Sequence, residues 1–139
     1  MKKREGHLHS KQQRKLKLLR RLFKQLDESI VVVEGKRDVA ALREAKVAEA
    51  RIVQAVGSAE RVANLVAEIA AQTGCSRVVL LTDFDVEGKR RNAELSEALL
   101  AEGISANAVL RREFKRLFRV NRVEQLGFAL ERLLEESSE

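Results

Sequence analysis

Arg77-Val78-Val79-Leu80-Leu81-Thr82-Asp83-Phe84-Asp85-Val86-Glu87-Gly88-Lys89 is an apolar run that stops in acids and then in a glycine. Residues 77–82 have the length and apolarity of a buried strand. Residues two apart on an extended chain point to one side, so Asp83 and Asp85 are expected to project together. A second stretch follows the same plan. Ile30-Val31-Val32-Val33 is a continuous β-branched run, as expected for a strand covered on both faces. Glu34 follows it directly, and Gly35 stands where the chain must turn, a residue that permits positive φ and close approach of a ligand to the backbone.

Outward from these two stretches, short apolar runs alternate with longer helical ones. Helix is expected over 38–45, a weaker strand over 51–56, and an Ala-rich helix capped by Ser58, reaching Gln72 and closed by Gly74. A further helix over 86–102 ends at Gly103, and residues 104–110 supply a fourth strand. Such alternation implies right-handed βαβ crossovers: an α/β fold with a four-stranded, mainly parallel sheet and helices on both faces. In open sheets of this kind ligands bind outside the carboxyl ends of the strands, which directs attention to the loops that begin at Glu34 and Asp83.

Composition agrees with a single α/β domain. The chain has 139 residues, 45% hydrophobic and 35% charged, with no proline, tryptophan or tyrosine and five phenylalanines, so its core is expected to be built mainly from Val, Leu, Ile and Ala. A lone cysteine, Cys75, makes no intramolecular disulfide and reads as a small packing residue. No secretory leader and no bilayer-length apolar stretch is recognised, so a cytoplasmic protein is expected, without a membrane partner. Three segments are expected: a basic amphipathic helix at 1–29, the α/β domain at 30–110, and a basic segment with an amphipathic helix at 111–139 packed on the same domain.

The net charge of +6 is unevenly placed. Residues 1–29 hold ten Lys/Arg and three Asp/Glu, +7, whereas the remainder holds 17 and 18, −1. A basic segment on a near-neutral domain is the footprint of a polyanion, either nucleic acid or an anionic membrane surface. Leu16, Leu19, Phe23 and Leu26 form one apolar stripe, and Arg14, Lys17, Arg21 and Lys24 fall on another face. Docking by the apolar stripe, with the basic face outward, is favoured over lying on a membrane. His7 and His9 read as part of a solvated tail. A second basic cluster comprises Arg111, Arg112, Lys115, Arg116, Arg119 and Arg122, interleaved with Phe114, Leu117, Phe118 and Val120. It suits either nucleic-acid backbone contact or a solvated helix face. Val123, Leu126, Leu130 and Leu133 then make an amphipathic helix.

Carboxylates held together repel unless a cation lies between them or one takes a proton. An all-oxygen site with few protein ligands suits magnesium, or manganese in its place, which binds through one or two carboxylates plus phosphate oxygens. Lys36, Lys89, Arg90 and Arg91 follow at the starts of helices, where both charge and helix N-termini favour phosphate. The competing reading is local: Asp-x-Asp as turn chemistry and capping, and Asp38 as a cap for its own helix.

At Glu34, Asp83 and Asp85 the sequence resembles the TOPRIM family, shared by topoisomerases, bacterial-type primases, OLD-type nucleases and the ribonuclease M5 group. The resemblance covers about residues 30 to 110, and Glu34-Gly35-Lys36-x-Asp38 looks most like small stand-alone members and ribonuclease M5. It implies a compact Rossmann-like fold in which Asp83 and Asp85 ligate magnesium and Glu34 is a ligand or the general acid/base. Asp83-x-Asp85-x-Glu87-Gly88 matches the topoisomerase pattern, but Lys89 replaces the next acid, which leaves Glu87 as a further candidate ligand only. With no tyrosine the chain cannot break DNA as a topoisomerase does, and one cysteine cannot build a primase zinc site.

Three functions are compatible with this reading. The first is a magnesium-dependent nucleic-acid phosphodiesterase, with structured RNA the expected substrate on the ribonuclease M5 resemblance. The second is a non-catalytic module that binds RNA or a ribonucleoprotein and keeps the magnesium site for bridging contacts. The third is a small nucleotide- or phosphate-binding regulator. A homo-oligomer is possible but not expected.

Overall fold

The computed structural model describes residues 2–44 and 51–118. In chain order the elements are α1 (Lys2–Asp27), β1 (Ile30–Val33), α2 (Lys36–Glu44), β2 (Ile52–Gln54), α3 (Ala59–Thr73), β3 (Val78–Leu80), α4 (Val86–Ala101) and α5 (Ala108–Phe118). The strands form one parallel sheet in the order β2-β1-β3. β1 lies in the centre, with all four of its residues inaccessible to solvent, and that position is why its sequence carries no polar alternation.

Successive β1 side chains enter two separate cores. Val31 and Val33 face α1, α2 and α5, where they pack with Leu19, Leu22, Leu26, Leu42, Val79, Leu81 and Phe114. Ile30 and Val32 face α3 and α4, against Val62, Val66, Val78, Leu80, Leu95 and Leu99. Helices therefore cover both faces of the sheet, as the alternation of elements predicts. Local caps set the helix limits: Ser58 Oγ accepts from Arg61 N at 3.2 Å at the start of α3, and Gly74 at φ 72° closes it.

The predicted fourth strand is not formed over residues 104–110, and the sheet has three strands among the described residues. Residues 104–110 reach β3 through a single parallel bridge, Ala106 to Val78, with Asn107 N donating to the Val78 carbonyl at 2.8 Å. The Asn107 side chain then accepts from Leu110 N at 2.9 Å and caps α5. Leu110, Phe114 and Leu117 recur at helical spacing, so burying them together is possible only in a helix. The basic segment after residue 110 is accordingly helical through Phe118. Arg119, Arg122 and the helix expected around Val123, Leu126, Leu130 and Leu133 lie outside the described residues.

α1 docks by an apolar stripe. Leu19 and Leu26 are buried and Phe23 is half-buried, joined by Leu22, while Arg14, Lys17, Arg21 and Lys24 are exposed; the side chain of Leu16 lies outside the described set. An apolar stripe already covered by the domain is not available to a lipid surface, and no helix among the described residues is long and apolar enough to cross a membrane. The helix extends back to Lys2, so His7 and His9 fall within its span; their side chains lie outside the described set. Cys75 is half-buried, its thiol 3.3 Å from the Glu28 carbonyl.

Phe114 anchors α5. It is fully buried and its ring stacks with Phe84, centroids 6.3 Å apart. Phe114→Ala is expected to lower the unfolding free energy by about 3–5 kcal/mol, read from urea denaturation at an unchanged slope.

Candidate metal and phosphate site

Because β1 and β3 run parallel, their carboxyl ends emerge side by side, and the acids that follow them meet. Glu34 is half-buried and close enough to Asp83 for its protonated carboxyl to donate a hydrogen bond to it. Burial is the main reason the Glu34 carboxyl titrates above the ordinary glutamate range; the charge of Asp83, that hydrogen bond, and the charges of Asp38 and then Asp85 raise it further. The cluster therefore carries more negative charge than the fold neutralises at Glu34.

Asp85 is placed differently. It is exposed and serves as the N-cap of α4, with Oδ1 accepting from Gly88 N at 2.8 Å. Asp38 is buried at the third position of α2 and accepts from Gly35 N at 3.0 Å, an acid reaching back to the N-cap donor. The capping role read for Asp38 is thus found, together with a charge contribution to Glu34 that the sequence reading did not include.

The glycines exchange roles. Gly35 has no positive φ, and an added Cβ would make only an ordinary contact with Asp38, so the expected conformational need is absent there. Gly88 is the position that requires glycine: a Cβ on it would overlap the Asp83 carbonyl group. The first turn of α4 presses on the acid loop, and Thr82 Oγ1, buried, secures the approach by donating to the Gly88 carbonyl at 3.0 Å. Gly88→Ala is expected to cost about 1–3 kcal/mol or more, because backbone rather than a flexible side chain must move. Thermal melting beside Gly103→Ala, whose Cβ would enter open space though its φ is 78°, separates this clash from left-handed strain.

The predicted cations divide into two groups. Lys36, Lys89 and Arg90 are exposed around the helix starts, and Arg90 lies 3.9 Å from Glu94. Arg112, Lys115 and Arg116 are exposed on α5, with Lys115 Nζ 5.7 Å from the Phe84 ring centre. Arg91, by contrast, ties α4 to the loop before α3, donating to the Gly57 carbonyl at 2.7 Å and lying 3.7 Å from Glu94. Arg111 is buried, so its expected contact with phosphate is corrected. Its Nη1 donates to the carbonyls of Leu80 (2.9 Å) and Thr82 (2.7 Å), its Nη2 to that of Asp83 (3.2 Å), and its guanidinium lies 4.4 Å from the Phe84 ring centre. Burial pushes its pKa down to about 10, against the opposing pull of Glu34 and Asp83, so it stays charged at neutral pH. Helical spacing from Leu110 and Phe114 was the available signal for its burial.

No group of three His, Cys, Asp or Glu among the described residues is gathered tightly enough to enclose a metal. The donors present still fit a hard cation that uses few protein ligands. All are oxygens, Glu34 and Asp83 are adjacent, and the negative charges that add to burial in raising Glu34 are of the kind a divalent cation would neutralise. Glu87 is exposed in the first turn of α4.

An α/β domain with paired acids beyond neighbouring parallel strands defines the class of protein. Residues 28–110 match the Toprim domain, more than half of the chain, which therefore belongs to the Toprim domain family. Membership associates it with metal-dependent, nucleic-acid-related function. The UPF0292 protein MJ1624 of Methanocaldococcus jannaschii is 31% identical over 98 residues, spanning 70% of this chain and 73% of that protein. A solved structure of a protein from Aquifex aeolicus shares the fold with a TM-score of 0.63 at 24% identity, covering 78% of this chain and 94% of that one.

The titration of Glu34 has a defined sign. Its folded-state pKa lies above its unfolded value, so its contribution to stability is present below the unfolded pKa and is lost as pH rises through the folded one. In chelator at pH 7–8, Glu34→Gln is expected to melt above wild type, and the difference should close below about pH 4, the ordinary glutamate range.

Proposed function

We propose that the chain is a magnesium-dependent phosphodiesterase acting on nucleic acid, RNA in preference to DNA. The observation that carries this reading is the Glu34–Asp83 pair at the carboxyl ends of β1 and β3, with the charges of Asp38 and Asp85 acting on Glu34. Asp83 and Glu34 would hold the cation, with Asp85 offering the carboxylate oxygen not engaged in capping and Glu87 a further candidate. Magnesium or manganese supplies Lewis-acid stabilisation of charge on the scissile phosphate. In the alternative role, with Asp83 and Asp85 holding the cation and Glu34 left off it, Glu34 suits the general base, because a carboxylate whose pKa is raised is the better proton acceptor near neutrality. It takes the proton of a water whose oxygen forms the new bond to phosphorus, while the P–O bond to the leaving sugar oxygen breaks and that oxygen is protonated from solvent.

One N–H at each helix start is taken by a carboxylate, that of Gly35 by Asp38 and that of Gly88 by Asp85, so substrate binding would draw on side chains beside the remaining first-turn N–H groups. Lys36, Lys89 and Arg90 lie around the helix starts beside the acids. The exposed cations of α1, Arg14, Lys17, Arg21 and Lys24, and of α5, Arg112, Lys115 and Arg116, provide the wider backbone grip. The preference for RNA rests on the resemblance of residues 34–38 to the ribonuclease M5 group.

A second reading, a non-catalytic RNA or ribonucleoprotein module, is favoured by the position of Asp85. An exposed N-cap sets Asp85 apart from the Glu34–Asp83 pair, which suits a magnesium-bridged contact with little turnover. Labelled structured RNA separates the two. Cleavage that requires magnesium and falls by about 10²-fold or more in Glu34→Gln and Asp83→Asn supports hydrolysis. Equal binding by wild type and both variants with no cleavage in any of them establishes the second reading. Binding that ignores salt removes both, since each single-strand phosphate neutralised should contribute a slope of about −0.7.

A further inference from the structure

β3 offers backbone carbonyls to its two sides in turn. On the side toward β1, Arg77 O accepts from Ile30 N. On the outer side, Val78 O accepts from Asn107 N, the one point where residues 104–107 behave as a strand. Leu80 and Thr82 are the next outward carbonyls, and there the chain has already turned into α5. Arg111, in the first turn of that helix, reaches back to both and continues to Asp83. Its planar fork of donors can serve several carbonyls at once, which a lysine ammonium on a flexible stem cannot reproduce. Phe84 closes one face of the guanidinium.

We infer that Arg111 is a positioning residue for the cation site, its guanidinium taking the place of a fourth strand along the end of β3 and fixing the backbone from which the Asp83 and Asp85 carboxylates project. The inference rests on the reading of Glu34 and Asp83 as cation ligands. The bonds from Arg111 to Leu80, Thr82 and Asp83 all go to backbone oxygens, and they limit the conformations of the segment that carries the acids. Outer-shell groups of this kind govern metal affinity without touching the ion.

The test uses Arg111→Lys and Arg111→Met in the full chain, with Val66→Ala as a core variant on the opposite face of the sheet. Mn2+ binding is measured by titration, and amide hydrogen exchange over residues 81–88 is measured in chelator. Wild type is expected to bind Mn2+. In Arg111→Lys the affinity should fall on the order of 10–100-fold, and exchange over 81–88 should quicken at least tenfold while exchange in α3 is unchanged. Val66→Ala should melt lower with wild-type Mn2+ affinity and loop exchange. Wild-type affinity in Arg111→Lys, or unaltered exchange over 81–88, overturns the positioning role even when the melting temperature drops. If Arg111→Met does not fold, Arg111→Lys decides alone. Failure of wild type to bind Mn2+ overturns the cation reading itself, and the inference with it.

Discussion

The parallel register that sets Ile30 against Val78 and Val32 against Leu80 is the constraint on which the molecule depends. Continued by two residues, it brings Glu34 level with Thr82 and one step from Asp83. Residues far apart in the chain thus meet because two strands start level and run the same way. A slip of one residue would reverse the facing of every β3 side chain, sending Val79 and Leu81 into the α3–α4 core and Val78 and Leu80 into the other. The two cores therefore hold the acids in place indirectly, since only one alignment satisfies both.

That alignment gathers like charge, and the surrounding structure answers it in several ways. Asp38 and Asp85 turn one oxygen each toward a helix N–H, where a carboxylate is well placed. Arg111 adds a buried positive charge behind the loop. What is left over falls on Glu34, whose pKa is raised first by burial and then by Asp83, Asp38 and Asp85. On the proposed cation reading, stability would be given up there for the site, the relation expected where function overrides local preference.

Much of this was legible in residue order. β1 and β3 announced themselves as unbroken apolar runs ending in acids, and Ser58 and Gly74 marked the two ends of α3 by types that only cap geometry explains. The fourth strand was misread because Ile104 and Ala106 are apolar and Val109 and Leu110 follow; what decided the matter was Asn107, a residue equally at home in a loop, whose side chain caps a helix. The burial of Arg111 is hidden among the surface cations of its segment because sequence records its charge but not its orientation. The clash that excludes a side chain at Gly88 involves an atom five residues earlier, across a turn whose shape no local pattern states.

The outer margin of β3 has a further consequence. An open sheet border exposes carbonyl groups to which a strand of another chain could be added, and proteins commonly protect such borders with charge or irregular backbone. Here three successive outward acceptors are already occupied, one by the amide of Asn107 and two by a single guanidinium. An incoming strand would have to displace a buried cation to pair there, so the same side chain that steadies the acid loop also shields this flank from self-association.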